Sequence, residues 1–497
     1  MEHFISSIVN IITNPVTLTT LFLANILGII IGALPGLTAT MGIALLTGLT
    51  YGLPTEIALV ILMSLYVGAI YGGSITAILL NIPGTGSAAA TALDGYPLAT
   101  RGRAGFAIGI TRMASVFGTL FGLIMLMTIA PQLARFALLF TSAEYALLGF
   151  FGVLISGFVA GEDLKIKGWI AGFLGMLLST VGIDELHGYA RFTFGSPLLM
   201  IGISFVPAMI GVFSIPQILD NLKLTLPPRI PTSDSMFPKW SQFLRQLPNA
   251  IRSGLIGTGV GIIPGVGEDI GAWMSYFAAR GMSRKKEEFG RGSVEGVVAA
   301  ETGNNAAIGG ALIPLLTLSI PGSPPTAVLL GALLLHGVRP GPMLGFEFPG
   351  FIQEMGGILF MASLALSICG VFVARFFIKV LDTPLRILMP IIAVLSVMGA
   401  YAIHIRIFDV FVMVVLGLLF FVLLKLRYPV APFVLGVILG PMIDANLRRA
   451  FWVHRSFVPF LTRPVSLILV VAIVLLILAQ FKWFQNLFFH QGKTQKE

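Results

Sequence analysis

Residues 71–105 read YGGSITAILLNIPGTGSAAATALDGYPLATRGRAG, and residues 304–341 read NNAAIGGALIPLLTLSIPGSPPTAVLLGALLLHGVRPG. Each stretch is an apolar helix interrupted by Ile-Pro-Gly, at residues 82–84 (the first break) and at residues 320–322 (the second break). Proline removes an amide donor and clashes with the preceding turn, and glycine frees the backbone. In a bilayer such backbone groups are tolerated only where they line an enclosed or water-filled cavity. The two breaks are therefore the first candidates for a solute-binding site.

The rest of the chain has the composition of a membrane protein. Its 497 residues are 56% hydrophobic and 11% charged, with a mean hydropathy of +0.94. A soluble protein of this length could not bury so much apolar surface. The pattern predicts an all-α polytopic membrane protein with about ten to twelve membrane segments. No Lys or Arg precedes the first apolar run and no cleavage site follows it, so we expect this helix to stay in the membrane.

Charge and motif content exclude several functional classes. The net charge of +9 is dispersed over the loops without interleaved aromatics, which indicates contact with lipid headgroups and no nucleic-acid partner. The single Cys369 and the scattered histidines offer neither disulfides nor a metal cluster. Without a Walker A motif the chain is not expected to hydrolyse ATP. We expect no enzyme; an intramembrane enzyme using Glu268, Glu301 and Asn304 is the alternative from another class.

The two halves of the chain carry matching motifs in the same order. Gly-x-x-Pro-Gly ends at Gly36 and again at Gly265, 229 residues later, and the two breaks are 238 residues apart. A third motif, Pro-x3-Gly-Val-x3-Pro followed by Asn-Leu, begins at Pro207 and at Pro432. Such ordered matches predict a duplication. We expect repeats at residues 1–222 and 253–447, a cytoplasmic linker at 223–252, and an extra C-terminal membrane helix and tail at 448–497.

Loop charges predict the relative orientation of the halves. Residues 51–55 contain no Lys or Arg, whereas the corresponding loop at 281–292 contains four. The bias reverses after the two breaks, with Arg101, Arg103 and Arg112 in the first half against Arg339 alone in the second. Under the positive-inside rule the halves form inverted-topology repeats with discontinuous helices, and the Pro-Gly segments form re-entrant hairpins. Strict alternation leaves four arginines outside, against the rule: Arg448, Arg449, Arg455 and Arg463.

The chemistry of the breaks suits a carboxylate. The amino terminus of a half-helix carries partial positive charge and unpaired amides, and hydroxyl residues follow both breaks. The alternative is a kink that neighbouring Ser and Thr side chains satisfy without any ligand. The predicted substrate-binding residues are Asn81, Pro83, Gly84, Thr85, Gly86, Ser87, Asn304, Asn305, Pro321, Gly322, Ser323 and Thr326.

A second group of residues is predicted at the hairpin breaks, where carboxylates are candidates for ion coupling. These residues are Pro35, Gly36, Thr38, Pro264, Gly265, Gly267, Glu268, Asp269 and Glu301. Helix capping or a solvated loop is the alternative for the carboxylates. The expected coupling ion is Na⁺ or H⁺, no other metal or cofactor is predicted, and the ligands of a Na⁺ ion are not identified. Asp94, which precedes Gly95, is read as an Asp-Gly turn.

With these motifs the chain resembles the large permease subunit of tripartite tricarboxylate transporters, the TctA family. The resemblance spans nearly the whole chain and rests on ALPGLTATMGIALLTGLTYGL, GYARFTFG, residues 71–105, and FGRGSVEGVVAAETGNNAAIGGALIPLLTLSIPGSPPTAVLLGALLLHGVRPGPM. The family usually has Pro-Glu-x-Ala-Asn-Asn-Ala where this chain has Ala-Glu-Thr-Gly-Asn-Asn-Ala at 300–306. It usually has Phe-Gly-Ile-Pro-Gly where this chain has Leu-Ser-Ile-Pro-Gly at 318–322.

The resemblance implies a multi-pass permease of the bacterial inner membrane that works with two partners. These are a small membrane subunit (TctB-like) and a periplasmic solute-binding protein (TctC-like). Uptake of citrate or of another di-, tri- or aromatic carboxylate, driven by a sodium or proton gradient, is the implied function. Both departures from the family pattern lie in the candidate site, so citrate itself is not assumed. A stand-alone symporter that needs no binding protein is the second transport reading.

Overall fold

Helices make up nearly all of the protein in the computed structural model, which describes residues 2–34, 37–161, 164–184, 186–222, 230, 234–377, 385–456 and 458–479. The helices of the first half of the chain are α1 Glu2–Thr13, α2 Pro15–Ala33, α3 Ala39–Leu49, α4 Thr55–Leu80, α5 Ala88–Leu98, α6 Ala104–Ala137, α7 Ser142–Val159, α8 Lys165–Ser179, α9 Pro197–Met200 and α10 Phe205–Asn221. A π-helical turn at Ala99–Arg103 joins α5 to α6. Two short strands, β1 Gly182–Ile183 and β2 Ala190–Arg191, pair antiparallel between α8 and α9.

The second half repeats this helical character. Its helices are α11 Trp240–Leu244, α12 Leu247–Ile262, α13 Gly267–Met282, α14 Val294–Leu318, α15 Pro324–Leu335, α16 Leu344–Glu347, α17 Phe351–Phe372, α18 Leu385–Ala402, α19 Ile407–Lys425, α20 Val430–His454, α21 Val458–Thr462 and α22 Pro464–Leu478. Within the described ranges six helices are long and apolar enough to cross a membrane, and five shorter helices are apolar as well. The predicted class, an all-α polytopic membrane protein, is confirmed.

The chain forms two compact units. The described residues within 1–138 and 204–423 form one, and those within 139–203 and 424–497 form the other. All of the predicted site residues that the structure describes belong to the first unit, in the hairpins and half-helices around α4 and α14.

The two breaks end their helices in the same way. α4 stops at Asn81 and α14 stops at Ser319, and both residues adopt left-handed backbone angles, with φ of 57° and 59°. Prolines two residues later prevent either helix from continuing. A half-helix then begins after each break, α5 with 11 residues and α15 with 12. The discontinuous helices predicted from Ile-Pro-Gly are therefore present at both positions.

The Pro264-Gly265 segment is the turn between α12 and α13. Each of these helices has 16 residues, and they pack against each other. At 1.5 Å per residue, 16 residues extend about 24 Å, which is short for a full membrane crossing. This geometry is what a re-entrant hairpin requires. Its predicted mirror at Pro35-Gly36 lies outside the described residues, between α2 and α3.

Glycine contacts hold each break against its neighbouring helix. Gly84 lies against the carbonyl of Gly32 on α2, and Gly322 lies against the carbonyl of Gly261 on α12. A methyl group at either glycine would overlap that backbone. Gly32 and Gly261 are themselves the first residues of the matching Gly-x-x-Pro-Gly motifs. Corresponding positions in the two halves thus make corresponding contacts.

The last helix of each predicted half packs on helices of the other half. Gly211 of α10 lies against the backbone of Met413 on α19, and Gly436 of α20 lies against Gly172 on α8. Gly211 and Gly436 are equivalent positions of the third repeated motif. Equivalent positions of this motif thus both lie at close contacts between helix backbones. The repeat boundaries drawn from the sequence stay a prediction.

Ion pairs in the second unit bear on the arginines that conflict with the positive-inside rule. Arg448 binds the carboxylate of Asp184 through two nitrogen–oxygen contacts of 2.5 and 2.7 Å, and Arg463 binds Glu144 at 2.6 Å. These hydrogen bonds from Arg448 hold the pKa of Asp184 well below its usual range. The two arginines thus have carboxylate partners within this unit, and their conflict with the positive-inside rule, which counts Lys and Arg whatever their partners, remains.

Candidate functional site

The first break is accessible and its half-helix is uncapped. Asn81, Pro83 and Gly86 are exposed, whereas Thr85 and Ser87 are buried. The hydroxyls of Thr85 and Ser87 pair with each other at 3.0 Å, so neither caps the amino terminus of α5. The backbone amide of Ser87 donates to the side chain of Asp269 on α13. An anion of the protein itself thus occupies the place predicted for a substrate carboxylate.

The second break is buried and satisfies itself. Pro321, Gly322 and Ser323 are inaccessible to solvent. The Ser323 hydroxyl accepts from the amide of Thr326 at 3.3 Å, and the Thr326 hydroxyl accepts from the amide of Ser323 at 2.9 Å, which is a capping box. The residues between them are prolines, which have no amide to offer. The hydroxyl-satisfied kink, the alternative reading of the sequence, describes the geometry here.

The start of α13 brings the two breaks together. Its adjacent residues Glu268 and Asp269 contact different half-helices: Asp269 lies against Gly86 and bonds the Ser87 amide, while Glu268 hydrogen-bonds Ser323. Glu268 is 3% exposed and also accepts a hydrogen bond from the hydroxyl of Tyr66, on α4. Asp269, in contrast, is exposed. Both breaks therefore meet at one point, as sites built from discontinuous helices do in transporters.

Glu301 sits in a cage of hydroxyl groups. Ser74 on α4, Thr91 on α5 and Ser115 on α6 all donate to its carboxylate, the last at 2.9 Å. All four residues are completely buried. In the part of the chain that the structure describes, no Lys, Arg or His side chain forms an ion pair with Glu301. A buried carboxylate that is held only by hydroxyl groups can take up a proton, or it can bind a hard cation through its oxygen atoms.

Asn304 and Asn305 continue the same helix. Asn304 is completely buried and both polar atoms of its amide lack a partner, while Asn305 donates to the carbonyl of Glu301 at 2.9 Å. Asn304 follows Glu301 by three positions, so both lie on one face of α14. Buried polar groups are normally satisfied, so the unpaired amide of Asn304 is a candidate to bind a water, an ion or a polar ligand.

Other predicted residues lie apart from this point or beyond the description. Thr38 caps α3, because its hydroxyl accepts from the amide of Met41 at 3.2 Å. Pro35 and Gly36 lie outside the described residues. Asp94 is not in an Asp-Gly turn: it lies within α5 and accepts from the amides of Gly292 and Ser293, each at 2.8 Å. The turn reading was wrong because the Asp-Gly signal is local, whereas these partners come from the start of α14.

Four residues of the site were missed by the sequence reading: Tyr66, Ser74, Thr91 and Ser115. Their signal is a hydroxyl at a buried position of a membrane helix, and Ser and Thr are too common in such helices to be singled out without the fold. No group of three or more His, Cys, Asp or Glu side chains suited to a metal ion occurs among the described residues.

Comparison with known proteins assigns the chain to a family. The model of the tripartite tricarboxylate transporter TctA family matches residues 18–435. The chain belongs to the TctA family. The resemblance drawn from its motifs is confirmed, and with it a transporter subunit of several membrane helices.

Two relatives from Agrobacterium vitis are similar to this TctA-family chain. One, called "Uncharacterized 52.8 kDa protein in TAR-I ttuC' 3'region", is 38% identical over 456 residues, which cover 91% of this chain and 90% of that protein. The other, "Uncharacterized protein in TAR-II ttuC' 3'region", is 35% identical over 211 residues, 42% of this chain and 87% of that protein. No solved structure matches the chain.

Proposed function

We propose that this chain is the large permease subunit of an ion-gradient-driven uptake system for carboxylates in the bacterial inner membrane. The observation that carries the proposal is the first break, where the Asp269 carboxylate lies against Gly86 and accepts from one backbone amide, that of Ser87, at the start of a half-helix. A site that fits a protein carboxylate offers the same donors to a substrate carboxylate. The substrate class is a citrate-like tricarboxylate, or another di- or aromatic carboxylate.

We propose inverted repeats and an elevator-like motion as the route of transport. Nearly equal φ angles at Asn81 and Ser319, and the matching contacts of Gly84 with the Gly32 carbonyl and of Gly322 with the Gly261 carbonyl, support the duplication. Binding near the repeat interface, with alternating access by movement of the hairpin-bearing core, is the mechanism such architectures use. The ion is Na⁺ or H⁺, with Glu268, Asp269 and Glu301 as candidates for its coupling.

The partners follow from the tripartite family. A periplasmic solute-binding protein delivers the carboxylate, and a small membrane subunit accompanies the permease. The experiment is reconstitution of all three proteins in liposomes with labelled citrate, succinate or benzoate. Accumulation under an imposed ion gradient, lost when both the sodium and the proton gradients are collapsed, is the expected result. Unchanged accumulation without gradients would contradict the proposal, and uptake without the binding protein would favour the stand-alone symporter.

A further inference from the structure

Asp269 occupies a position that the proposed substrate needs. Its carboxylate accepts the Ser87 amide and lies so close to Gly86 that an added methyl group would overlap it. Gly86 and Ser87 are two of the three residues between the first break and the body of α5. A substrate carboxylate and an ionised Asp269 therefore compete for one amide.

Two carboxylates in one site cannot both stay ionised at low cost, because like charges a few ångströms apart repel and one of them takes up a proton. Asp269 is exposed to solvent, whereas its neighbour Glu268 is buried and already accepts a hydrogen bond from Tyr66. Asp269 is therefore the carboxylate that solvent protons can reach.

We propose that Asp269 couples proton binding to carboxylate binding, so that substrate takes the Ser87 amide only when Asp269 accepts a proton and leaves it. The inference rests on the proposed function and specifies its ion. In the step, a proton from solution forms an O–H bond on Asp269, and the Ser87 N–H exchanges its acceptor from the Asp269 oxygen to the substrate oxygen. The proton on Asp269 balances the charge of the one substrate carboxylate that takes the amide, and any further carboxylate of the substrate adds its own negative charge.

The nearest ionisable neighbours of Asp269 include no cation that would neutralise its charge. Tyr66 on α4 and Glu268 on α13 are closest, and neither is a cation. Helices α5, α12, α13 and α14 carry further ionisable groups, most of which have hydrogen-bond partners of their own. These groups are Asp94, Tyr96, Arg252, Tyr276, Arg280, Glu295 and Glu301. The described contacts of Asp269 thus include a backbone amide and no positive side chain. When a substrate takes that amide, no other described group stabilises the negative charge of Asp269, and the carboxylate takes up a proton instead.

The coupling is measured as a dependence of substrate affinity on pH. If substrate binds only when Asp269 is protonated, the apparent dissociation constant rises about tenfold per pH unit above the Asp269 pKa. Any change in the ionisation of the ligand adds to this slope. Asp269→Asn removes the charge and keeps the shape. We expect the variant to lose this slope and to bind more tightly than the wild type at high pH.

The experiment uses the full chain in nanodiscs with succinate as the probe, and citrate and benzoate in parallel. Affinity is measured between about pH 6.5 and 8, where ordinary carboxyl groups of the ligand are mostly ionised. A pH-sensitive dye in weak buffer records proton uptake when the ligand is added. Asp220→Asn, at an exposed position on α10, is the matched control and should behave as the wild type. Asp269→Glu should keep the slope because it keeps the carboxylate.

Equal pH slopes for the wild type and Asp269→Asn would overturn the inference and leave the proposed function standing. Absence of proton uptake by the wild type on succinate binding would overturn it as well, and needs no variant to fold. Failure of every carboxylate to bind at any pH would instead contradict the proposed function, and the inference would fall with it.

Discussion

The two breaks share a backbone and differ in their chemistry. Both follow a left-handed residue, and both place a glycine against a neighbouring carbonyl. After the first break the chain has Thr85, Gly86 and Ser87, is partly exposed, and leaves an amide for an outside acceptor. After the second it has Ser-Pro-Pro-Thr, is buried, and closes in a capping box. The two kinks are thus similar in backbone, and only the first leaves a donor that an anion can use.

The half-helices that follow differ in the same sense. Thr91 on α5 and Ser74 on α4 hold the buried Glu301. The residues 238 positions later are Leu329 and Leu312, both buried in apolar surroundings. A hydrogen-bond partner of a polar group can be replaced by a proton, an ion or a ligand, whereas close-packed apolar side chains offer no group that binds one. The surroundings of the first break are therefore suited to binding a ligand or an ion, and those of the second break to stabilising the fold.

The largest expected effect treats the breaks alike. Gly84→Val and Gly322→Val should each abolish uptake, because a side chain would overlap Gly32 or Gly261 and displace the half-helix. The measurement is labelled carboxylate uptake, with the amount of membrane-inserted chain determined in parallel. Normal uptake by both variants would reduce the breaks to simple kinks.

The second prediction makes the first break resemble the second. Ser87→Pro places proline where the other half has Pro325, at a φ of −64° that proline adopts. Loss of one hydrogen bond to a charged group costs about 1.5–3 kcal/mol, so carboxylate affinity should fall by about tenfold to a hundredfold. Ser87→Ala keeps the amide and is the control. Equal affinities of the two variants would show that the amide is not used.

The third prediction concerns the hydroxyl cage. Glu301→Gln keeps most hydrogen bonds but cannot carry a charge or take up a proton. We expect uptake to fall by about tenfold or more, because a hydrogen bond to a charged group contributes about 1.5–3 kcal/mol and carboxylates inside membrane segments are usually functional. Leu329→Met, in the second half, conserves volume and should stay close to the wild type. Thermal unfolding checks that both variants fold. Wild-type uptake by Glu301→Gln would make its carboxylate structural.

The smallest effect is expected at the second break. Ser323→Ala removes the cap of α15 and should lower the free energy of unfolding by about 1 kcal/mol. Pro325→Ala leaves the capping box intact and should change carboxylate affinity by less than about threefold, because no amide of this region serves the substrate. Thermal unfolding and binding assays measure the two effects. A large loss of affinity in Pro325→Ala would place substrate at the second break.

Motifs of a few residues predicted the family, the helical class and the positions of the breaks. Ile-Pro-Gly and Pro264-Gly265 combine proline with glycine, and the helix ends at Asn81, Ile262 and Ser319 agree with that local signal, whereas a lone proline such as Pro314 lies inside a helix. The same local reading failed at Asp94, whose Asp-Gly signal lies within a helix. Its partners, at the start of α14, are about 200 residues away and leave no trace in the neighbouring sequence.

At the two breaks, some features could be predicted from the sequence and others could not. The sequence determined that the helices are interrupted around residues 82–84 and 320–322, because proline and glycine together restrict the local backbone geometry. Only the tertiary structure decided that Asp269 lies on the Ser87 amide, that Glu268 lies by Ser323, and that three helices supply the hydroxyls around Glu301. These contacts join residues far apart in the chain, and packing rather than propensity brings such residues together.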